Sequence, residues 1–172
     1  MLTPLELSFY TYYSLLHIPI TLCIDSTVVL PWRWFPRWVQ AAVRWHVAQN
    51  HDYLLDDPPW WLVLFVAVEL LVQLPLFCYF AWQLPRLRRP ASVAAGDDKL
   101  LKGARRRQHR RVLALLRGYG ANASLTTLVC IVHICRWGHV VGGAGALSPA
   151  QKLQLVAVYL PTFVIPLRLC FV

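Results

Sequence analysis

A stripe of polar side chains runs through an apolar stretch near the beginning of the chain. Ser14, His17, Thr21 and Asp25 follow one another at intervals of three, four and four residues, which places them on one face of a helix. Pro19, in the same stretch, removes a backbone donor and predicts a bend. An ionisable group at the centre of a bilayer costs about 2.5–3.5 kcal/mol on insertion scales, so these side chains must face a bundle interior. There they can either join helices by hydrogen bonds or hold a polar group in a cavity.

Three later apolar stretches also carry polar side chains at helical spacing. Glu69 and Gln73 are four residues apart, just before Pro75. The other two sets are Asn122, Thr126, Cys130 and His133, and then Tyr159, Pro161, Thr162 and Pro166. Hydrogen bonds between membrane helices return about 0.6 kcal/mol each, which suits the neutral groups but does not offset two carboxyl groups. We therefore predict that Asp25 and Glu69 line a polar cavity, while the hydroxyls and Asn122 mainly join helices.

These side chains need four helices to position them. The chain has 172 residues, of which 58% are hydrophobic and 15% charged, whereas a soluble domain is nearer half apolar and a quarter charged. About 20 apolar residues cross a hydrocarbon core about 30 Å thick. The sequence therefore predicts an all-α membrane protein, with one domain over residues 1–172 that folds as a four-transmembrane-helix bundle. The predicted spans are 7–30, 60–82, 112–134 and 153–172.

The five cysteines all lie in these apolar stretches, and none forms a CxxC pair. An odd number of cysteines at bilayer depth indicates small packing residues. We therefore expect no disulfide, no metal site and no cofactor.

Positive charge is concentrated between the second and third spans. Ten of the 17 Lys and Arg residues lie between Gln83 and Arg111. Cytosolic loops carry an excess of Lys and Arg, so we expect residues 83–111 to form a basic cytosolic loop, with both termini cytosolic and the first and third loops lumenal. A basic run also fits nucleic-acid binding, but this one adjoins two spans and has no aromatic side chains among its arginines. We therefore favour membrane lipid as its partner and expect no nucleic acid.

The first lumenal loop predicts a short helix of its own. Pro36 suits the first position of a helix. After it, Trp38, Ala41, Ala42, Trp45 and Ala48 recur at three- and four-residue spacing. This pattern indicates an amphipathic helix lying in the membrane interface, with its tryptophans at headgroup depth.

Several blocks together resemble the sigma-2 receptor family. They are "HIPITLCID" at 17–25, "DYLLDDPPWW" at 52–61, "VELLVQLPLF" at 68–77 and "LVAVYLPTFVIP" at 155–166. This family of four-span endoplasmic-reticulum proteins belongs to the EXPERA superfamily, which also contains the emopamil-binding sterol isomerase. The resemblance covers all four spans in order and implies the same fold, the same membrane and the possibility of a homodimer.

The resemblance also implies a ligand-binding site. Asp25 would pair with the protonated amine of a ligand, and Asp52 would hydrogen-bond to Asp25. Glu69 and Gln73 would form the polar floor, and Thr126 or Thr127 would complete the wall with Tyr159. With His17 and Thr21 on the stripe of the first span, the expected ligand-binding residues are Asp25, Asp52, Glu69, Gln73, His17, Thr21, Thr126 and Tyr159.

Three functions follow as expectations from the resemblance. The first is a non-catalytic binder of sterols or hydrophobic amines with a role in sterol homeostasis or trafficking. The second is an adaptor, since fungal relatives called efficient mitochondria targeting-associated proteins are linked to mitochondrial precursors at the endoplasmic reticulum. The third is a sterol Δ8–Δ7 isomerase. That branch uses a His followed four residues later by Glu, but Thr21 stands four residues after His17 and cannot shuttle a proton in that way.

Three features depart from the family pattern. Tyr53 replaces the proline that usually follows the aspartate, and the connection over 83–111 is longer and more basic. The sequence ends at "LRLCFV" without the basic tail that would support retrieval to the endoplasmic reticulum.

Overall fold

The described residues of the computed structural model are 2–88, 99–141 and 145–172. They form helices and contain no strand, apart from one isolated bridge between His139 and Ala146. Four helical segments are long and apolar enough to cross a membrane, namely Pro4–Val28, Trp60–Leu87, Arg106–Trp137 and Pro149–Leu169. The predicted four-helix membrane bundle is therefore confirmed.

The first span combines an α-helix with a tighter turn. Helix α1 (Pro4–Cys23) begins at a capping box formed by Thr3 and Glu6. Pro19 lies inside α1 without ending it. The α-helix ends at Cys23, and a 3₁₀ helix over Asp25–Val28 follows. Asp25 is thus the first residue of a 3₁₀ turn rather than part of one continuous helix over 7–30.

The second span contains a π-helix at its middle. Helix α4 (Trp60–Val68) passes into a π-helix over Glu69–Gln73 and then into α5 (Leu74–Arg88). Pro75 has no backbone N–H to donate to a carbonyl four residues earlier, which favours a change of hydrogen bonding just before it. Both polar residues of this span therefore lie on an irregular turn.

The basic segment is helical at both of its described ends. Helix α5 continues to Arg88, and α6 runs over Lys99–Trp137, so the third span and part of the basic run form one helix. We had expected a loop over 83–111. Arginine and glutamine are good helix formers, so the helix continues after the apolar residues stop. Residues 89–98 of the expected loop lie outside the described part of the chain.

A short helix does form between the first two spans, but it buries a different face. Helix α2 (Arg37–Asn50) starts one residue after Pro36, and its buried side chains are Val39, Val43 and Val47. The predicted apolar face instead points outward, with Trp38 64% and Trp45 66% exposed. The valines pack against the bundle, which leaves the tryptophans free to contact the membrane interface.

A turn and the short helix α3 connect α2 to the second span. His51 has a φ of 55° in the left-handed region, and helix α3 (Tyr53–Asp56) follows at once. This sharp turn points Asp52 into the bundle, where only 1% of it is exposed.

The four spans pack mainly as two pairs, α1 with α5 and α6 with α7 (Pro149–Leu169). One apolar core lies at the end of the bundle that holds both termini, which we call the terminal end, and a second lies near α2 and α3, at the α2 end. At the terminal end, Arg168 donates to Glu6 over 2.8 Å, and the Tyr10 hydroxyl donates to the Ile165 carbonyl over 3.2 Å. These two bonds join α1 to α7.

Candidate ligand-binding site

A cavity of about 360 Å³ lies within the bundle, and all four spans as well as α2 and α3 contribute to its wall. Seven of the eight residues expected from the sequence line it. They are His17, Asp25, Asp52, Glu69, Gln73, Thr126 and Tyr159. The eighth, Thr21, is fully buried and binds one of them.

Asp25 and Glu69 form a pair of carboxyl groups at the wall. The Thr21 hydroxyl donates to Glu69 Oε1 over 2.8 Å, and Asp25, one turn after Thr21, lines the same cavity and interacts with Glu69 through charge. Two neighbouring carboxyl groups in a site of low dielectric do not readily both ionise, so we expect this pair to share a proton and to carry one negative charge. The irregular turns are what bring the two groups together, because Asp25 begins the 3₁₀ helix and Glu69 begins the π-helix.

Asp52 has a separate set of partners. The Tyr159 hydroxyl donates to both of its carboxyl oxygens, over 3.2 and 3.1 Å, and His46 Nε2 lies 3.3 Å from Oδ2. We expected Asp52 to hydrogen-bond to Asp25. Instead, the oxygens of Asp52 are bonded to Tyr159 and His46, and Asp25 interacts with Asp52 through charge. The α2–α3 turn places Asp52 between His46 and Tyr159, which supply the donors that a carboxylate needs.

His46 has its own support from α2. The Asn50 side-chain amide lies 3.2 Å from His46 Nδ1 and also donates to the His46 backbone carbonyl over 3.1 Å. An amide N–H only donates, so Nδ1 accepts and Nε2 carries the hydrogen that Asp52 receives. Asn50, His46, Asp52 and Tyr159 therefore form one connected chain of hydrogen bonds.

His17 faces the cavity with one ring nitrogen already engaged. Its Nδ1 lies 2.9 Å from the Tyr13 carbonyl, which can only accept, so Nδ1 carries a hydrogen. The His17 ring also lies 3.9 Å, centroid to centroid, from the Tyr13 ring. Behind it, the Tyr119 hydroxyl donates to that of Tyr13 over 3.2 Å. These contacts fix the ring and leave Nε2 as the nitrogen available to a ligand.

The threonines of α6 form part of the cavity wall but do not add an obvious hydrogen-bonding group for a ligand. Thr126 and Thr127 both line the cavity. The Thr126 hydroxyl already donates within its own helix, to Asn122 and Ala123. Gln73 is 6% exposed and lies one turn beyond Glu69.

Sequence reasoning missed His46, Tyr13 and Tyr119 as cavity residues. His46 lies on α2 among residues that pattern analysis assigned to the membrane interface. Its role follows only from the turn at His51, and the positive φ there gives no clear signal in the sequence.

The remaining wall is apolar and includes Ile20, Ile24, Leu62, Phe65, Val66 and Phe77. Small-molecule sites have volumes of about 300–1,000 Å³, with mostly apolar walls and a few fixed polar groups. The cavity fits that description. It can hold an apolar body whose single polar or cationic group meets the carboxyl pair.

Comparison with known proteins agrees with this architecture. Residues 38–172 match the EXPERA (expanded EBP superfamily) family. The chain is 45% identical over 169 residues to efficient mitochondria targeting-associated protein 19 of Saccharomyces cerevisiae, covering 97% of this chain and 96% of the yeast protein. It is 28% identical over 167 residues to sigma intracellular receptor 2 of Xenopus tropicalis, an alignment that covers 93% of this chain and 82% of the frog protein. It is 42% identical over 65 residues to the human protein of that name, an alignment that covers 38% of this chain and 37% of the human protein. Because the family match extends from α2 to the end of α7 and the yeast relative aligns over nearly its whole length, this chain belongs to the EXPERA superfamily.

Proposed function

We propose that this protein binds a sterol or a hydrophobic amine in its intramembrane cavity and serves sterol homeostasis or trafficking in the endoplasmic-reticulum membrane. The observation that carries the proposal is that two carboxyl groups, Asp25 and Glu69, lie together in one largely apolar cavity wall. Hydrogen bonding between helices does not explain such a pair, because the free-energy cost of two carboxyl groups at bilayer depth exceeds what interhelical hydrogen bonds contribute.

The pair suits two classes of ligand. With one proton shared, it presents one negative charge to a protonated amine in a site of low dielectric, where a counter-charge matters most. In the same place it accepts a hydrogen bond from a sterol hydroxyl, while the apolar wall contacts the rings. Both ligands have an apolar body and a single polar end.

The test compares a hydrophobic amine with the alcohol of the same skeleton, using purified protein. Each single variant, Asp25→Asn or Glu69→Gln, keeps one carboxyl group and should lose affinity for the amine only in part. The double variant removes both carboxyl groups beside the cation and leaves only Asp52, which is already bonded to Tyr159 and His46, so we expect a loss of about 3–5 kcal/mol, or more than a hundredfold in Kd. The affinity for the alcohol should fall less, because the alcohol carries no charge.

Asp56→Asn is the matched control, because Asp56 is exposed and does not line the cavity. If the double variant binds the amine as tightly as the unmodified protein does, the carboxyl pair is not the anchor and the proposal is wrong.

We propose a binder rather than a sterol isomerase. Thr21, four residues after His17, is hydrogen-bonded to Glu69 and has no group that titrates as a catalytic acid or base. Sterol profiles of cells that lack the isomerase and express this chain test the point. If these cells convert a Δ8 sterol to a Δ7 sterol, and the His17→Ala variant does not, the result would favour the isomerase function.

A role in mitochondrial precursor targeting is the second candidate. It is favoured by the 45% identity to the yeast protein whose name states that association. The double carboxyl variant separates the two functions. Loss of sterol binding with normal precursor import would assign the adaptor role to another surface of the protein.

A further inference from the structure

A second cavity, of about 870 Å³, opens between the beginning of α4 and the end of α6. None of the described residues that line it also lines the first cavity, the acidic cavity that holds Asp25, Asp52 and Glu69. Its wall is aromatic at one end and aliphatic at the other. The aromatic part consists of Tyr53, Trp61, His133, Trp137 and His139.

The aromatic rings surround His133. The Trp61 ring lies 5.1 Å from it, the Trp137 ring 5.3 Å and the Tyr53 ring 5.8 Å, centroid to centroid. The Tyr53 hydroxyl is hydrogen-bonded to His133 Nδ1 over 2.7 Å. Burial raises the pKa of the Tyr53 phenol above its usual range, with the charge of Asp52 as a second cause, so the phenol stays neutral. The cavity wall thus combines several aromatic rings, whose faces attract cations.

Charges of both signs border the rings. Asp57 lines the cavity and is exposed. Arg136 does not itself line the cavity, but its guanidinium lies 5.8 Å from the centroid of the Trp137 ring, which does. A carboxylate and aromatic rings are therefore available to a cation, and a guanidinium lies next to the same rings.

The position of the cavity matches the depth of lipid headgroups. Trp61 is the second residue of α4, and Trp137 is the last residue of α6. Leu128, Val129 and Val132 continue the wall toward the membrane centre and are 41%, 38% and 42% exposed. Leu128 precedes Trp137 by nine residues, roughly 13 Å along a helix at 1.5 Å per residue. An acyl chain below a bound headgroup would cover these side chains.

We propose that this second cavity binds a phospholipid with a quaternary ammonium headgroup, of the phosphatidylcholine class. The ammonium lies among the Trp61, Trp137 and Tyr53 rings near Asp57, the phosphate meets Arg136, and one acyl chain lies along the aliphatic side of α6. Aromatic faces favour a methylated ammonium, whereas a primary ammonium needs hydrogen-bond acceptors that aromatic faces do not supply.

Native mass spectrometry of the delipidated, purified protein tests the proposal. Dioleoyl phosphatidylcholine, phosphatidylethanolamine and phosphatidylglycerol are added separately, and glycerophosphocholine supplies the headgroup without chains. We expect phosphatidylcholine to be retained best. Trp61→Leu and Trp137→Leu should each lower its affinity about three- to thirtyfold, the range of a cation–π contact. Asp57→Asn should lower it as well, and Trp61→Phe, which keeps a ring, should restore part of the binding.

Trp60→Leu is the matched control, because Trp60 is 79% exposed and does not line the cavity. Binding of the hydrophobic amine to the acidic cavity reports whether a variant is folded, and it should not change. Equal retention of the three lipids, or full retention of phosphatidylcholine by Trp137→Leu, would overturn the proposal. Displacement of the lipid by glycerophosphocholine would assign the site to a soluble ligand instead. Loss of a dimer in Trp137→Leu, without loss of lipid, would assign the face to a second copy of the chain.

Discussion

The two carboxyl systems of the acidic cavity differ in how their charge is stabilised. Asp25 and Glu69 lie together in a wall of low dielectric, where two carboxyl groups do not readily both ionise, and Thr21 donates to Glu69. Asp52 instead accepts hydrogen bonds from Tyr159 and His46.

Tyr159→Phe should destabilise the fold. The change removes the hydroxyl that donates to both oxygens of Asp52, which is 1% exposed. A buried carboxyl group that loses a donor costs about 1–3 kcal/mol. Thermal unfolding in detergent should show a lower midpoint. Tyr12→Phe, at a residue that is 71% exposed, is the matched control and should unfold like the unmodified protein. Equal midpoints for Tyr159→Phe and Tyr12→Phe would mean that Asp52 does not depend on this bond.

Most residues of the cavity were predictable, but their pairing was not. Helical spacing identified His17, Thr21, Asp25, Glu69 and Gln73, because a polar side chain in an apolar span must face inward. Pairing depends on how far one span is shifted along another, and no local pattern encodes that shift. The expected bond from Asp52 to Asp25 therefore gave way to the bonds with His46 and Tyr159.

At the scale of elements, Gly120 of α6 lies directly against the backbone of α7. A Cβ added there would lie 2.5 Å from the Pro166 carbonyl oxygen and 2.9 Å from Leu169 Cβ. Backbone atoms cannot move aside without separating the helices. The close packing of α6 against α7 therefore requires glycine, which has no side chain, at this position.

Gly120→Ala should loosen the α6–α7 pair. Overpacking of this kind costs typically about 1–3 kcal/mol, only partly offset by the better helix propensity of alanine. Gly118→Ala, two residues away on the same helix, meets nothing within 4 Å and should be neutral or stabilising by up to about 1 kcal/mol. Thermal unfolding of both variants measures the difference. A Gly120→Ala protein as stable as Gly118→Ala would mean that the two helices pack less closely than described.

Element boundaries were harder to predict than the elements themselves. Hydropathy detects the residues that lie in hydrocarbon, so it located all four spans. It does not detect where a helix ends in water, and α6 therefore begins at Lys99 rather than near Val112. Nor does it separate the α, 3₁₀ and π turns that position Asp25 and Glu69, since these depend on packing around Pro75 and the end of α1.

At the scale of the whole molecule, four spans place the α2 end and the basic run on opposite sides of the membrane. We expect the basic run in the cytosol, because positive charge is retained there. Asp56→Cys and Ala104→Cys, both at exposed residues, report the two sides in a background without the five native cysteines. In sealed microsomes, an impermeant thiol reagent should label only Ala104→Cys. Labelling of both positions from the same side would contradict the four-span topology.

The bonds from Arg168 to Glu6 and from Tyr10 to Ile165 can form only late in biosynthesis, because they join the first span to the last. Glu6 and Arg168 are separated by 162 positions along the chain, which at 5–20 residues per second is roughly 8–30 s of translation. During that time the first span is already in the membrane without its final partner. Helices α1 and α5 are synthesised early and can pair at once. The acidic cavity is complete only after α7, which carries Tyr159, has been synthesised and inserted. A nascent chain arrested before α7 therefore lacks the helix that covers Asp52 and completes the wall around the carboxyl pair.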